Sequence, residues 1–116
     1  IAQRLVRKLC PACKVPATLR QDECELMQLA QGADISGVCA PKGCPQCTAG
    51  YRGRTGIYEL IPVDETLRGM IHRAESLQTM EAWLRPRCPS IREDGFKRVL
   101  AGDTSLAEIL RVTSQL

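Results

Sequence analysis

The sequence predicts an α+β fold whose strand and knuckles precede its helices, on three observations. Two Cys-Pro-x-Cys knuckles, Cys10-Pro-Ala-Cys13 and Cys44-Pro-Gln-Cys47, lie in the first half. A β-branched and aromatic run, Ile57-Tyr-Glu-Leu-Ile61, is ended by Pro62 and reads as a strand. Beyond Pro62 every break between apolar runs carries a helix cap, so a Cys/Gly-rich half gives way there to a helical half.

Taken in order, Ile1 to Leu9 is ambiguous between the end of a helix and a strand, because Leu5, Val6 and Leu9 fit neither period cleanly. Asp22 to Ala30 has an acidic first turn and helix formers, and the following Gly32 predicts its end. Ile35 to Lys42 reads as loop or short strand. Arg52-Gly53-Arg54 and Asp94-Gly95 read as turns. In the helical half, Asp64 can cap Glu65 to Arg73 and Ser76 can cap Leu77 to Leu84; Ser90 with Glu93, and Ser105 with Glu108, have capping-box spacing. Pro86 and Pro89 separate the second helix from the third, which Gly102 closes. Phe96, Val99 and Leu100, then Leu106, Ile109, Leu110 and Val112, place i, i+3, i+4 stripes that must bury against a neighbour.

Composition narrows the class. With 116 residues, 44% apolar and 25% charged, the chain has room for one ordinary domain or two small ones, and wholesale disorder is excluded. No apolar run is long enough for a membrane span. A net charge of +3 and four aromatic residues speak against a nucleic-acid-stacking fold. The seven cysteines are an odd number, which a full set of intrachain disulfides cannot absorb, and a metal site fits better. The chain opens without Met and without a signal-peptide pattern, so the expectation is a fragment of a longer protein in a reducing, cytoplasmic setting.

The chemistry lies in CxxC, thirty intervening residues, CxxC. A turn of two residues lets both thiolates point at one ion, and two such turns complete a tetrahedron around zinc, with iron able to use the same ligands. Cys10, Cys13, Cys44 and Cys47 are therefore the expected metal ligands. A closed four-sulfur site leaves no position for water, so such an ion is structural. A thioredoxin-type redox pair would need one CxxC inside a βαβ unit, and chaperone-type repeats would carry more knuckles. Cys24 and Cys39 could swap in as ligands but read better as small buried hydrophobes, and Cys88 as a free thiol. The acid-free stretch holding Arg4, Arg7, Lys8, Lys14 and Arg20 reads as a counter-charge to four thiolates. His72 reads as a surface or helix-end residue, and no catalytic set or phosphate-cradling loop is present.

The runs Ala2 to Pro11, Gly43 to Cys47 and Gly50-Tyr-Arg-Gly-Arg-Thr-Gly-Ile-Tyr-Glu-Leu60 carry a family likeness, together with Ile71-His72, Asp94-Gly95 and Leu110-Arg-Val-Thr113. The chain resembles, over nearly its whole length, the C-terminal end of bacterial type II secretion and type IV pilus assembly ATPases of the GspE/PilB type. The resemblance implies a hexameric, cytoplasmic ATPase that acts beside the inner membrane through a membrane-anchored secretion platform. Its RecA-like core, with the sites for ATP and Mg, would lie upstream. It implies that the segment like Leu5 to Leu9 pairs antiparallel with the one like Gly56 to Leu60, the zinc module being inserted between these two strands. The division expected is 1–9 for the end of the core, 10–50 for the tetracysteine module, 51–62 for the returning strand, and 63–116 for a helical subdomain. Arg68, Arg73, Arg85 and Arg87 would give that subdomain a polar rim towards a neighbouring protomer. Arg52 and Arg54 flank a glycine turn and read as solvated side chains, a contribution to a neighbouring subunit's nucleotide being the minor alternative. A free-standing zinc-ribbon nucleic-acid-binding domain is the alternative, supported by the basic first twenty residues and weakened by the few aromatics.

Overall fold

The computed structural model describes residues 1–30 and 32–114. The last two positions of the expected helical subdomain, Gln115 and Leu116, lie outside the described residues. Strand β1 (Ala2–Leu9) pairs antiparallel with β4 (Tyr51–Glu59), from Ala2 opposite Glu59 to Arg7 opposite Arg54. The ambiguous opening segment is thus a strand. It has too few apolar residues to declare itself, and its partner is some fifty residues away. Near Arg7 the register slips: two steps on β1, from Arg7 to Leu9, match three on β4, from Arg54 to Tyr51. Gly53 takes a φ of 79° at this bulge. Arg52-Gly53-Arg54 is therefore strand and not the turn expected, a bulge glycine having the same local signature as a turn glycine.

Between the two strands run β2 (Val15–Pro16), α1 (Gln21–Leu26) and β3 (Cys39–Ala40), with β2 and β3 paired antiparallel. Helix α1 is shorter than Asp22 to Ala30. It closes at Gln28, whose φ is 56°, where the Leu29 N–H donates to the Cys24 carbonyl and the Gln28 N–H to that of Glu25. This is a Schellman closure with Gln where Gly is usual, so Gly32 is not the terminator.

The remaining helices are α2 (Glu65–His72), α3 (Leu77–Leu84), α4 (Ile91–Leu100) and α5 (Leu106–Thr113). Their N-cap residues are those expected, although Ser90 and Ser105 do not form the reciprocal capping boxes expected, the Glu108 carboxylate being taken by Arg7 and Arg111. Asp64 accepts from the Leu67 N–H, Ser76 from Thr79, Ser90 from Glu93 and Ser105 from Glu108. Gly102, with a φ of 80°, closes α4. Asp94-Gly95 lies inside α4 and is not a turn. The Asp94 carboxylate accepts the Tyr58 N–H of β4 at 2.8 Å, and a Cβ on Gly95 would come within 2.8 Å of the Ile109 side chain. A glycine in mid-helix costs about 1 kcal/mol against alanine, and here it admits α5.

One hydrophobic core joins Val6 and Ile57 of the strand pair, Met27 and Val38 of the inserted segment, and Ile91, Phe96, Val99, Leu106 and Ile109 of α4 and α5. Of the stripes expected on the last two helices, Phe96, Val99, Leu106 and Ile109 are buried in this core, and Leu100, Leu110 and Val112 pack half-buried against it. A second cluster holds Leu67, Leu84 and Cys88. Cys88 is a free thiol and a buried one. His72 is the exposed last residue of α2. Arg85 and Arg87, expected on an outward rim, are engaged within the chain. Arg85 pairs with Glu59 at 2.8 Å, while Arg87 stacks on Trp83 and donates to its carbonyl at 2.6 Å.

Candidate metal centre

Cys10 is the first residue past β1, and its N–H donates to the Gly50 carbonyl just ahead of β4 at 2.8 Å. The first knuckle is closed by the Cys13 and Lys14 N–H groups donating to the Cys10 carbonyl, at 3.3 and 2.9 Å. The second repeats this with the Cys47 N–H on the Cys44 carbonyl at 3.3 Å. It runs into a tight turn in which Thr48 and Tyr51 exchange backbone bonds, with φ of 54° at Ala49 and 92° at Gly50. Gly50 is obligatory on two counts: its φ is positive, and a Cβ there would lie 2.4 Å from that of Pro41.

These turns gather Cys10, Cys13, Cys44 and Cys47 so that all four Sγ atoms lie within 4.8 Å of one another. Cys10 is 3.8 Å from Cys44, Cys13 is 3.7 Å from Cys47, and Cys44 is 3.5 Å from Cys47. Zinc bonded to sulfur at about 2.3 Å in a regular tetrahedron requires S···S edges of about 3.8 Å. The donor set and its spacing therefore suit a single ion of that kind. Cys24, on α1, and Cys39, on β3, do not belong to this group among the described residues. Both are half-buried and not the fully buried hydrophobes expected. The Cys39 thiol donates to the Gly37 carbonyl at 3.5 Å.

The surroundings act oppositely on two of the sulfurs. Burial works against a Cys47 thiolate, but thiol donors from Cys44 and Cys13 and backbone N–H groups hold that residue at about 7. The Gln46 amide favours a Cys44 thiolate, yet burial and the neighbouring sulfurs push Cys44 up to about 12. A divalent ion held there would require all four as thiolates.

Of the cations expected to offset those thiolates, Arg7, Lys14 and Arg20 have other partners, Arg20 pairing with Asp22 and Glu23. The Lys14 ammonium donates to the Gly102 carbonyl at 3.0 Å, and the Arg7 guanidinium lies over the Tyr51 ring, 4.2 Å from its centroid, and on Glu108. Residues 102 to 105, between α4 and α5, are bonded throughout to the strand and knuckle region. Asp103 accepts the Leu9 N–H at 2.8 Å, Thr104 donates to the Arg7 carbonyl at 2.7 Å, and the Ser105 and Tyr51 hydroxyls meet at 2.7 Å. Glu108 completes the joint. Its fully buried carboxylate accepts the Arg7 N–H at 2.8 Å, and the guanidiniums of Arg7 and Arg111 as well. Burial alone would raise its pKa, but the arginines outweigh that and hold it near 2. Sequence spacing assigned Glu108 to a capping box. Nothing in its local spacing signals a contact with a strand 101 residues earlier in the chain.

These features define a class: a small α+β module in which a four-cysteine site that could hold one metal ion closes a pair of antiparallel strands, with two helices docked across the strands. A family model described as Type II/IV secretion system protein matches residues 1–111. The chain belongs to that family. It is 47% identical over 119 residues to a type II secretion system protein E of Aeromonas hydrophila, a match covering 99% of this chain and 23% of the relative. It is 47% identical to a type II secretion system protein E of Pseudomonas aeruginosa and 44% identical to a type II secretion system ATPase E of Vibrio cholerae, with the same coverage. The chain spans about a quarter of the length of these relatives. No helix among the described residues is long and apolar enough to cross a membrane.

Proposed function

We propose that this chain is the C-terminal, non-catalytic part of an ATPase that powers type II protein secretion, and that Cys10, Cys13, Cys44 and Cys47 hold a structural zinc. The observation that carries the reading is the gathering of four sulfurs at the point where β1 and β4 come together. Zinc there clips an insertion of more than thirty residues whose closure is otherwise costly in chain entropy. ATP and Mg belong to the rest of the parent protein, which works as a hexameric ring on the cytoplasmic face of the inner membrane, against a membrane-anchored platform. The type II relatives named above favour secretion over pilus assembly.

The test uses the full-length parent in a secreting bacterium. Cys44→Ser should abolish export of an extracellular enzyme, while Cys88→Ser should export it normally. Normal export by the Cys44→Ser parent would overturn the proposed role of the module.

A further inference from the structure

Glu108 arranges two arginines around a cavity that a third completes. The cavity, of about 520 Å³, is lined by Arg7, Arg54, Arg111, Tyr51, Gly53 and Leu5, with Glu108 in its wall. Arg7 and Arg111 each turn the Nε–Nη2 edge of the guanidinium to the buried carboxylate, at distances of 2.8 to 3.2 Å. Both planar groups are thereby fixed in place, and their Nη1 groups stand outside that pairing. Arg54 sits directly across the strand pair from Arg7. Like charges directly opposite each other destabilise a strand pair, and Arg54 makes no ion pair among the described residues.

On the other side of the Gly53 bulge, Arg54 also lines a second cleft of about 450 Å³, with Lys8, Lys14 and Arg52. That cleft's acid, Asp103, faces Arg98 at 3.8 Å. Lys8 and Arg52 are exposed, and no atom would crowd a Cβ at Gly53, so the way over the bulge is open. Positive charge is thus continuous from Arg111 to Lys8, and the internal carboxylate that could answer it is already saturated.

The ligand's chemistry follows from what lies in the walls. Forked guanidiniums match the two oxygens of a carboxylate. The buried Glu108 charge opposes a dianionic phosphate more strongly than a monoanion. Tyr51 is the one aromatic residue lining the cavity, and its ring already carries the Arg7 guanidinium on a face, which disfavours stacking of successive nucleobases there. We propose that this surface docks an acidic segment of a protein partner, one carboxylate seated at Arg54 beside the Arg7–Arg111 pair and a second reaching Arg52 and Lys8 across Gly53.

The experiment measures binding of a fluorescent hexaglutamate peptide to the zinc-loaded chain by anisotropy, at low and at physiological salt. Wild type should bind, more weakly as salt rises. Arg54→Ala should lower affinity on the order of tenfold, the value of one charge-assisted forked contact. Arg68→Ala, which removes an exposed charge on α2, should leave affinity unchanged; both variants should keep wild-type zinc content, and Arg54→Ala should melt no lower than wild type, since it relieves the like-charge pair with Arg7. Absence of peptide binding, an equal loss in both variants, or tighter binding to oligothymidylate or to phosphatidylserine vesicles than to the peptide would each overturn the proposal.

Discussion

The Glu108 carboxylate accepts the backbone N–H of Arg7, 101 residues earlier in the chain, at 2.8 Å. Thr104 takes the carbonyl of the same residue, so the start of α5 covers the outer edge of β1 as a neighbouring strand would. Replacing Glu108 with Gln keeps the shape but leaves the arginines without a counter-charge. Equilibrium urea unfolding should show a loss of about 2 kcal/mol for Glu108→Gln. A loss within experimental error would mean that the joint is not what holds α5 to β1.

The same carboxylate gives the stability of the chain a pH signature. Its folded-state pKa near 2 lies below the ordinary glutamate value of about 4.3, so its contribution is complete above about 4.3 and is lost as pH falls towards 2. The stability difference between wild type and Glu108→Gln should therefore shrink through that window. Acid release of any bound metal affects both proteins and cancels in the difference. A difference independent of pH would contradict the assignment of a depressed pKa to Glu108.

Gly95 is set by packing, since an added Cβ would meet the Ile109 Cγ2 and Cδ1 atoms at 2.8 and 2.9 Å. Gly95→Ala gains about 1 kcal/mol of helix propensity and loses about 1–3 kcal/mol to overpacking, so a net destabilisation is expected. Adding Ile109→Val, which removes the Cδ1 atom, should recover part of that loss. Thermal melts of the two single variants and the double variant check it. Strictly additive effects would show that the contact is absent in solution.

Cys44 and Cys88 separate a metal role from a packing role. Cys44→Ser should abolish the effect of a chelator on melting temperature, because the site it cripples no longer contributes. Cys88→Ser, which places a hydroxyl beside Leu67 and Leu84, should lower the melting temperature modestly and keep full chelator sensitivity. Equal chelator sensitivity in the two variants would contradict this division.

What could be read from the sequence was local. Asp64, Ser76, Ser90 and Ser105 announce their helices because a cap acts within four residues, and the knuckles announce themselves because two sulfurs per turn suffice to define them. The antiparallel pairing of the opening segment with the one around Gly56 joins segments separated by the whole insertion, and only family likeness suggested it; that likeness did not give Arg7 opposite Arg54, which lies outside the segments it named. Gly53 and Gly95 misled because the same residue type serves turns, bulges and close helix contacts. The basic run from Arg4 to Arg20 pointed to the sulfurs, whereas Arg7 and Lys14 are bound to Glu108 and Gly102. Those partners are about ninety to one hundred residues downstream, beyond any window a spacing rule can use.

The four sulfurs carry the account, and X-ray absorption at the zinc edge, on the chain purified without chelator, tests them most directly. One zinc per chain surrounded by four sulfurs at about 2.3 Å is the predicted result. A chain without metal, or a zinc whose shell includes nitrogen or oxygen in place of one of the four sulfurs, would contradict it.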